Sequence, residues 1–165
     1  MSYDGRAVAN YVLDACAASG CDVTNLSLQK IVFFCHAWCL GRLRRPLVRH
    51  AFEAWEYGPV LQYLYRDFNS FGSSPIKTLA VGLNPVTGLK EIVRADFDSD
   101  VLELLEEVVS FYSRRTSSEL VKLSHVTGGP WFNVWNQGIS LNPGMRIKNE
   151  DIESFYSERD VPFKS

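Results

Sequence analysis

Between Leu28 and Leu40 the sequence leaves almost no polar face. Leu28, Ile31, Val32, Cys35, Trp38 and Cys39 recur at helical spacing, and Phe33, Phe34 and Leu40 fill the remaining sides. A helix that is apolar all round is a buried helix. The spacing therefore predicts a central helix from about residue 27, capped by Thr24, Asn25 or Ser27 and stopped at Gly41. Other elements must wrap it. A chain of 165 residues can bury such a helix without disulfide or metal staples, and its length fits one domain, residues 1–165.

The surrounding pattern is mostly helical. Residues 6–19 carry an apolar face of Val8, Val12, Ala15 and Cys16, with Ser2 or Asp4 as cap and Gly20 as stop. Residues 101–112 carry a second stripe, opened by the acidic and capping run Asp98-Ser99-Asp100. Thr116-Ser117-Ser118-Glu119 has the spacing of a capping box and predicts a short helix to about His125. Gly128-Gly129-Pro130 breaks the chain before another turn at residues 131–135, and a last short helix is expected at residues 149–156. Phe52-Glu53-Ala54-Trp55-Glu56-Tyr57 alternates as a strand does. Gly58-Pro59 ends it, with Pro59 suited to the first position of a helix over residues 60–68. Residues 72–98 have the weakest pattern; 76–83 and 89–93 read as two short strands. The expectation is a mainly α fold of six or seven helices with a small β element.

Composition narrows the class. Seventeen Lys and Arg against 19 Asp and Glu give a net charge of -2, so no global positive field draws the chain onto nucleic acid or membrane. No basic, apolar leader and no run of about 18 apolar residues is present. Cys16, Cys21, Cys35 and Cys39 are then expected as reduced thiols in a cytoplasm. Ten Phe, seven Tyr and four Trp imply a dense core, an adhesive surface, or both.

Familiar catalytic patterns are missing. Four residues separate Cys16 from Cys21 and three separate Cys35 from Cys39, with no second compact ligand pair, so a zinc site is not expected. Cys35 and His36 are neighbours on a helix, about 100° apart, and cannot pair. His36, His50 and His125 are scattered. No catalytic residue, metal or cofactor is expected; the alternative left open is an enzyme using Cys35, His36 or Lys30, or a zinc-dependent one. Arg42, Arg44, Arg45 and Arg49 form a local basic patch. It is either a solvated loop or a surface for an acidic protein partner; no basic stripe continues it toward nucleic acid.

Three blocks together resemble the Panacea-domain family of SocA-like antitoxins and GepA-like phage-associated proteins. They are Leu28-Gln29-Lys30-Ile31-Val32-Phe33 with Ala37-Trp38; Pro46-Leu47 followed by Phe52-Glu53-Ala54-Trp55-Glu56-Tyr57-Gly58-Pro59-Val60; and Leu123-Ser124-His125 followed by Gly129-Pro130-Trp131. The resemblance implies a helical antitoxin of phages, prophages and mobile elements. Such a protein would bind and neutralise a cognate toxin, or, as one member does, deliver its toxin to the ClpXP protease. It implies motif roles, structural or partner-binding, for Gln29, Lys30, Trp38, Glu53, Trp55, Tyr57, Gly58, Pro59, His125, Pro130 and Trp131. Gln29 and Lys30 are polar groups on a greasy helix and need partners if buried. Glu53 or Glu56 is the expected charge partner of Lys30, under a cover of Trp55, Tyr57 and Trp131; otherwise Lys30 reaches solvent.

Overall fold

The computed structural model describes residues 2–163. Its elements are α1 (Gly5–Ser19), α2 (Asn25–Leu43), β1 (Phe52–Trp55), β2 (Gly58–Val60), α3 (Gln62–Asp67), a 3-10 turn (Asn69–Phe71), β3 (Val81–Leu83), β4 (Lys90–Ile92), α4 (Ser99–Tyr112), α5 (Ser117–Ser124), α6 (Pro130–Gln137), β5 (Arg146–Ile147) and α7 (Asn149–Ser157). The fold is mainly α with a small β element, as the periodicity implies. No described helix is long and apolar enough to cross a membrane.

Helix α2 is the axis. Every residue from Ser27 to Gly41 is buried, and α1, α4, α5 and α7 pack around it. Thr24 caps its start: the Thr24 hydroxyl accepts from Ser27 N–H and the Ser27 hydroxyl accepts from Thr24 N–H. Its rings set the packing. Phe34 stacks on Tyr112 of α4, with centroids 4.1 Å apart, and Trp38 Nε1 donates to the Tyr112 hydroxyl at 2.9 Å.

Gly41 does not stop the helix. It lies inside α2, which runs on to Leu43 and ends on Arg44 in the left-handed conformation. A Cβ at Gly41 would come within 2.9 Å of the Tyr156 backbone. The glycine is there because α7 crosses α2 at that point, not because the helix ends.

The expected single strand is a hairpin. β1 lies at the centre of a three-stranded antiparallel sheet ordered β2-β1-β5, with Glu53 opposite Val60 and Phe52 opposite Ile147. Pro59 therefore sits in β2, and helix α3 opens three residues later. The short β5 has no sequence signal strong enough to show. β3 and β4 form a separate hairpin, anchored by Asn10 of α1. The buried Asn10 amide donates to Ala80 O and Val93 O and accepts from Ala80 N–H.

Candidate functional site

Polar groups on α2 face an unusual neighbour, the outer edge of β2. Among the described residues strand β2 pairs only with β1, so the backbone groups on its far side need other partners. On that edge the Lys30 amine donates to Pro59 O at 3.0 Å, and Leu61 N–H donates to Gln29 Oε1 at 3.0 Å. Residues 59 and 61 share one edge by the two-residue period of a strand. Pro59 itself has no N–H to leave unpaired there. Gln29 Nε2 donates in turn to Asn25 Oδ1, and Asn25 Nδ2 to Tyr65 O. Asn25, Gln29 and Lys30 thus act as a substitute strand made of side chains.

Lys30 meets neither sequence expectation. It is fully buried, so it does not reach solvent. Among the described residues no carboxylate lies within ion-pair distance of it. Glu53 instead accepts from Trp55 Nε1 at 2.9 Å, and Glu56 is exposed. The physical reason is the alternation of β1: Glu53 and Trp55 share a face of the strand, so the indole takes the carboxylate. Burial alone pushes the Lys30 amine down to about 7.

Gly58 makes the close approach possible. Its φ is +116°, and a Cβ there would fall 2.5 Å from Lys30 Cε and 2.7 Å from Ser124 Oγ. Only glycine satisfies both conditions.

The third block closes the site from the other side. Pro130 opens α6, and the Trp131 indole N–H donates to Trp55 O at 2.7 Å. His125 stacks flat on Trp131, centroids 3.6 Å apart. Its Nε2 is buried without a hydrogen-bond partner. Burial first, and then the charge of Lys30, lower the His125 pKa. Tyr57 is not a cover: it is 60% exposed.

Next to this knot lies a cleft of about 400 Å³. Its walls are Leu26, Trp55, Tyr57, Val60 and Tyr65, with Gly72 and Ser73 at one end, and Asn25, Gln29 and Lys30 contribute to its polar lining. Trp55 and Tyr65 meet edge to face at 5.1 Å. From sequence Asn25 is a candidate cap of the central helix and not a site residue; the structure gives the cap to Thr24, and the position of Asn25 four residues before Gln29 is the i, i+4 signal of a polar ladder.

Other motif residues lie elsewhere. Trp38 belongs to the core between Tyr112 and Tyr156. The arginine loop begins about 20 Å further along α2, at its C-terminal end. Arg45 pairs with Asp98 and Asp100, at 3.3 and 2.6 Å, and Arg44 reaches Glu153 at 3.8 Å. Arg42 and Arg49 are exposed. Much of the local positive charge is thus matched within the chain. Cys16, Cys35 and Cys39 are buried and free, and burial raises all three thiols, Cys16 and Cys39 to about 11. No cluster of three His, Cys, Asp or Glu able to hold a metal occurs among the described residues.

A helical body organised round one polar knot on its buried helix is thus what the three sequence blocks build. The chain belongs to the antitoxin SocA-like, Panacea domain family, whose model matches residues 28–132. Among curated proteins it is similar to antitoxin SocA of Caulobacter vibrioides (strain NA1000 / CB15N). The two are 40% identical over 161 residues, which is 97% of this chain and 86% of that protein. No solved structure matches the chain.

Proposed function

We propose that this protein is the antitoxin of a toxin–antitoxin pair, acting in the cytoplasm and neutralising its cognate toxin by binding it, without catalysis. The observation that carries this reading is the 40% identity to an antitoxin along 97% of the chain. The chemistry of the site agrees with it. Burial holds the thiols of Cys16, Cys35 and Cys39 in the unreactive protonated form. The residues with catalytic potential, Lys30 and His125, are bonded or stacked into a scaffold. The exposed aromatic rim of the cleft suits recognition.

The test is co-expression with the product of the adjacent gene. Growth rescue together with co-purification of the two proteins supports the reading; neither rescue nor co-purification overturns it. The same assay in cells lacking ClpXP distinguishes the mechanism. Rescue that survives there is direct neutralisation; rescue that disappears makes the protein an adaptor to that protease.

A further inference from the structure

Hairpin β3–β4 turns its apolar side chains to solvent. Val81, Leu83, Val86, Leu89 and Ile92 are all exposed, Leu83 to 69%. The register explains the direction. Ala80 and Gly82 face α1, where Asn10 binds the Ala80 backbone and a Cβ on Gly82 would stand 3.1 Å from the Arg6 guanidinium. The two-residue period of a strand then sends Val81 and Leu83 outward, with Ile92 and Lys90 opposite them on the same face. A two-stranded hairpin is marginal when nothing covers its apolar face, and an exposed patch of this kind on a folded body marks an interaction site.

The backbone of the hairpin sets the shape that fits it. Val93 N–H donates to Ala80 O, and Asn84 N–H donates to Leu89 O. By the alternation of an antiparallel pair, residues 81, 83, 90 and 92 turn their N–H and C=O groups away from the hairpin. On the β3 edge, Val81 O already accepts from Arg6 Nη1 at 3.3 Å. On the β4 edge, the backbone groups of Lys90 and Ile92 have no partner among the described residues. Such an edge is a template for one more strand. Charge argues against a second copy of the same chain. A two-fold axis pairs β4 with itself only in registers where outward residues meet. Each of these sets like charges opposite one another: Lys90 on Lys90, Glu91 on Glu91, or Lys90 on Arg94. A strand of a different protein avoids the clash by carrying an acid opposite Lys90 and a base opposite Glu91. Lys90 is free for that pairing, with no carboxylate partner among the described residues, whereas Arg94 is already held by Asp14.

We infer that the outer edge of β4 takes up an antiparallel strand of the bound toxin, and that this strand reads apolar, basic, acidic, apolar from its N-terminal end. Its first apolar residue lies beside Ile92 and extends the face of Val81 and Leu83; its base meets Glu91, its acid meets Lys90, and its last apolar residue meets Leu89. This deepens the proposed antitoxin reading and rests on it for the identity of the partner. No covalent step is involved.

The experiment uses the full chain and a library of random dodecapeptides blocked at both ends. Wild-type protein selects peptides; Ile92→Pro protein removes those that ignore the edge. That substitution deletes an outward N–H and takes no hydrogen bond from the hairpin itself. The expected result is a set sharing the apolar, basic, acidic, apolar order. Each should bind wild type about tenfold better than Ile92→Pro. Lys90→Glu should weaken each about tenfold, and a peptide whose acid becomes Lys should recover that loss. Amide exchange followed by NMR should show the Lys90 and Ile92 N–H groups unprotected in the free protein and protected in the complex.

Lys90→Glu guards against a folding artefact of the proline, because Lys90 is exposed; protection of the Asn84 and Val93 N–H groups reports that the hairpin is intact in both variants. No selected peptide, a set without the charge order, or a set that binds Ile92→Pro and Lys90→Glu as well as wild type overturns the inference. So does a dimer of the free chain that Ile92→Pro dissolves, because the edge then belongs to a second copy. The toxin reading fails separately. If wild type rescues growth and both variants rescue as fully, the hairpin assignment falls while toxin neutralisation stands. If wild type itself does not rescue, the toxin reading falls whatever the peptides do.

Discussion

Lys30 carries most of the unusual physics of single residues here. A buried amine costs folding free energy whenever it must be charged. Its native pKa is about 7, against about 10.4 for a free lysine. The lowered base binds fewer protons in the native state than in the unfolded chain between those values, so stability rises with pH across that window. Below pH 7 both states are protonated and the penalty is present in full; above about pH 10 it is gone. The Lys30 share of that rise should be ~3 kcal/mol between pH 7 and 9.5, read as the difference between wild type and Lys30→Met in denaturant unfolding, because the buried thiols of Cys16, Cys35 and Cys39 act in the opposite direction in both proteins. Lys30→Met should lose most of that slope while leaving Pro59 O without its donor. The same slope in Lys30→Met as in wild type would show that the amine is not buried as described.

Elements are joined by close contacts as much as by apolar stripes. At Gly41 the crossing of α2 and α7 puts the Tyr156 backbone 2.9 Å from where a Cβ would stand. In an isolated helix Gly→Ala stabilises by about 1 kcal/mol. Here the overlap is with backbone, which cannot swing aside, and overpacking of that kind costs about 1–3 kcal/mol. The second effect wins: Gly41→Ala should lower stability by about 1 kcal/mol and Gly41→Val by about 3 kcal/mol, read from urea midpoints. A Gly41→Ala protein as stable as wild type would mean that the crossing has room.

The same residue shows what a sequence can and cannot tell about elements. The apolar periodicity of α2, the capping box at Thr116 and Glu119, and the stripe of α4 were all legible, because each is a local preference expressed in neighbouring residues. Glycine is ambiguous: at Gly41 a tertiary crossing and a helix end leave the same mark. Pro59 is ambiguous in the same way, since a helix start and an edge strand both tolerate a missing N–H. At the site, the need of Gln29 and Lys30 for partners was legible, but the identity of those partners was not. They are backbone atoms of a strand edge, and no residue type announces that.

The whole molecule is tied together by a second buried base on the same helix. His36 is fully buried. Its Nδ1 accepts from the N–H groups of Leu47 and Val48, at 3.2 Å each, which fixes the proton on Nε2, and that N–H donates to Asn149 Oδ1 at 2.9 Å. One neutral imidazole thus joins α2 to the segment after it and to the start of α7. That segment is also bound to the N-terminal arm, because Tyr3 N–H donates to Leu47 O and Arg49 N–H to Tyr3 O. Protonating Nδ1 would turn its acceptor into a donor facing two donors. Burial accordingly pushes His36 down to about 4, with the Asn149 bond acting weakly the other way. An unfolded histidine titrates near 6.5. The sign follows directly: between pH 6.5 and 4 the unfolded chain holds the proton and the native one does not, so stability is full above 6.5 and falls as pH drops through that window. The His36 share of the loss should be about 3 kcal/mol at pH 4. It is isolated as the difference between wild type and His36→Gln in unfolding followed from pH 7.5 to 4, because the carboxylates titrate alike in both. His36→Gln should start less stable at pH 7.5, having one acceptor oxygen in place of the ring nitrogen, and should lose less on acidification. Because the imidazole holds three parts of the chain, α7 and the N-terminal arm should lose hydrogen-exchange protection together as the pH falls. Protection lost in α7 while the arm stays closed would show that the two are coupled by something other than His36.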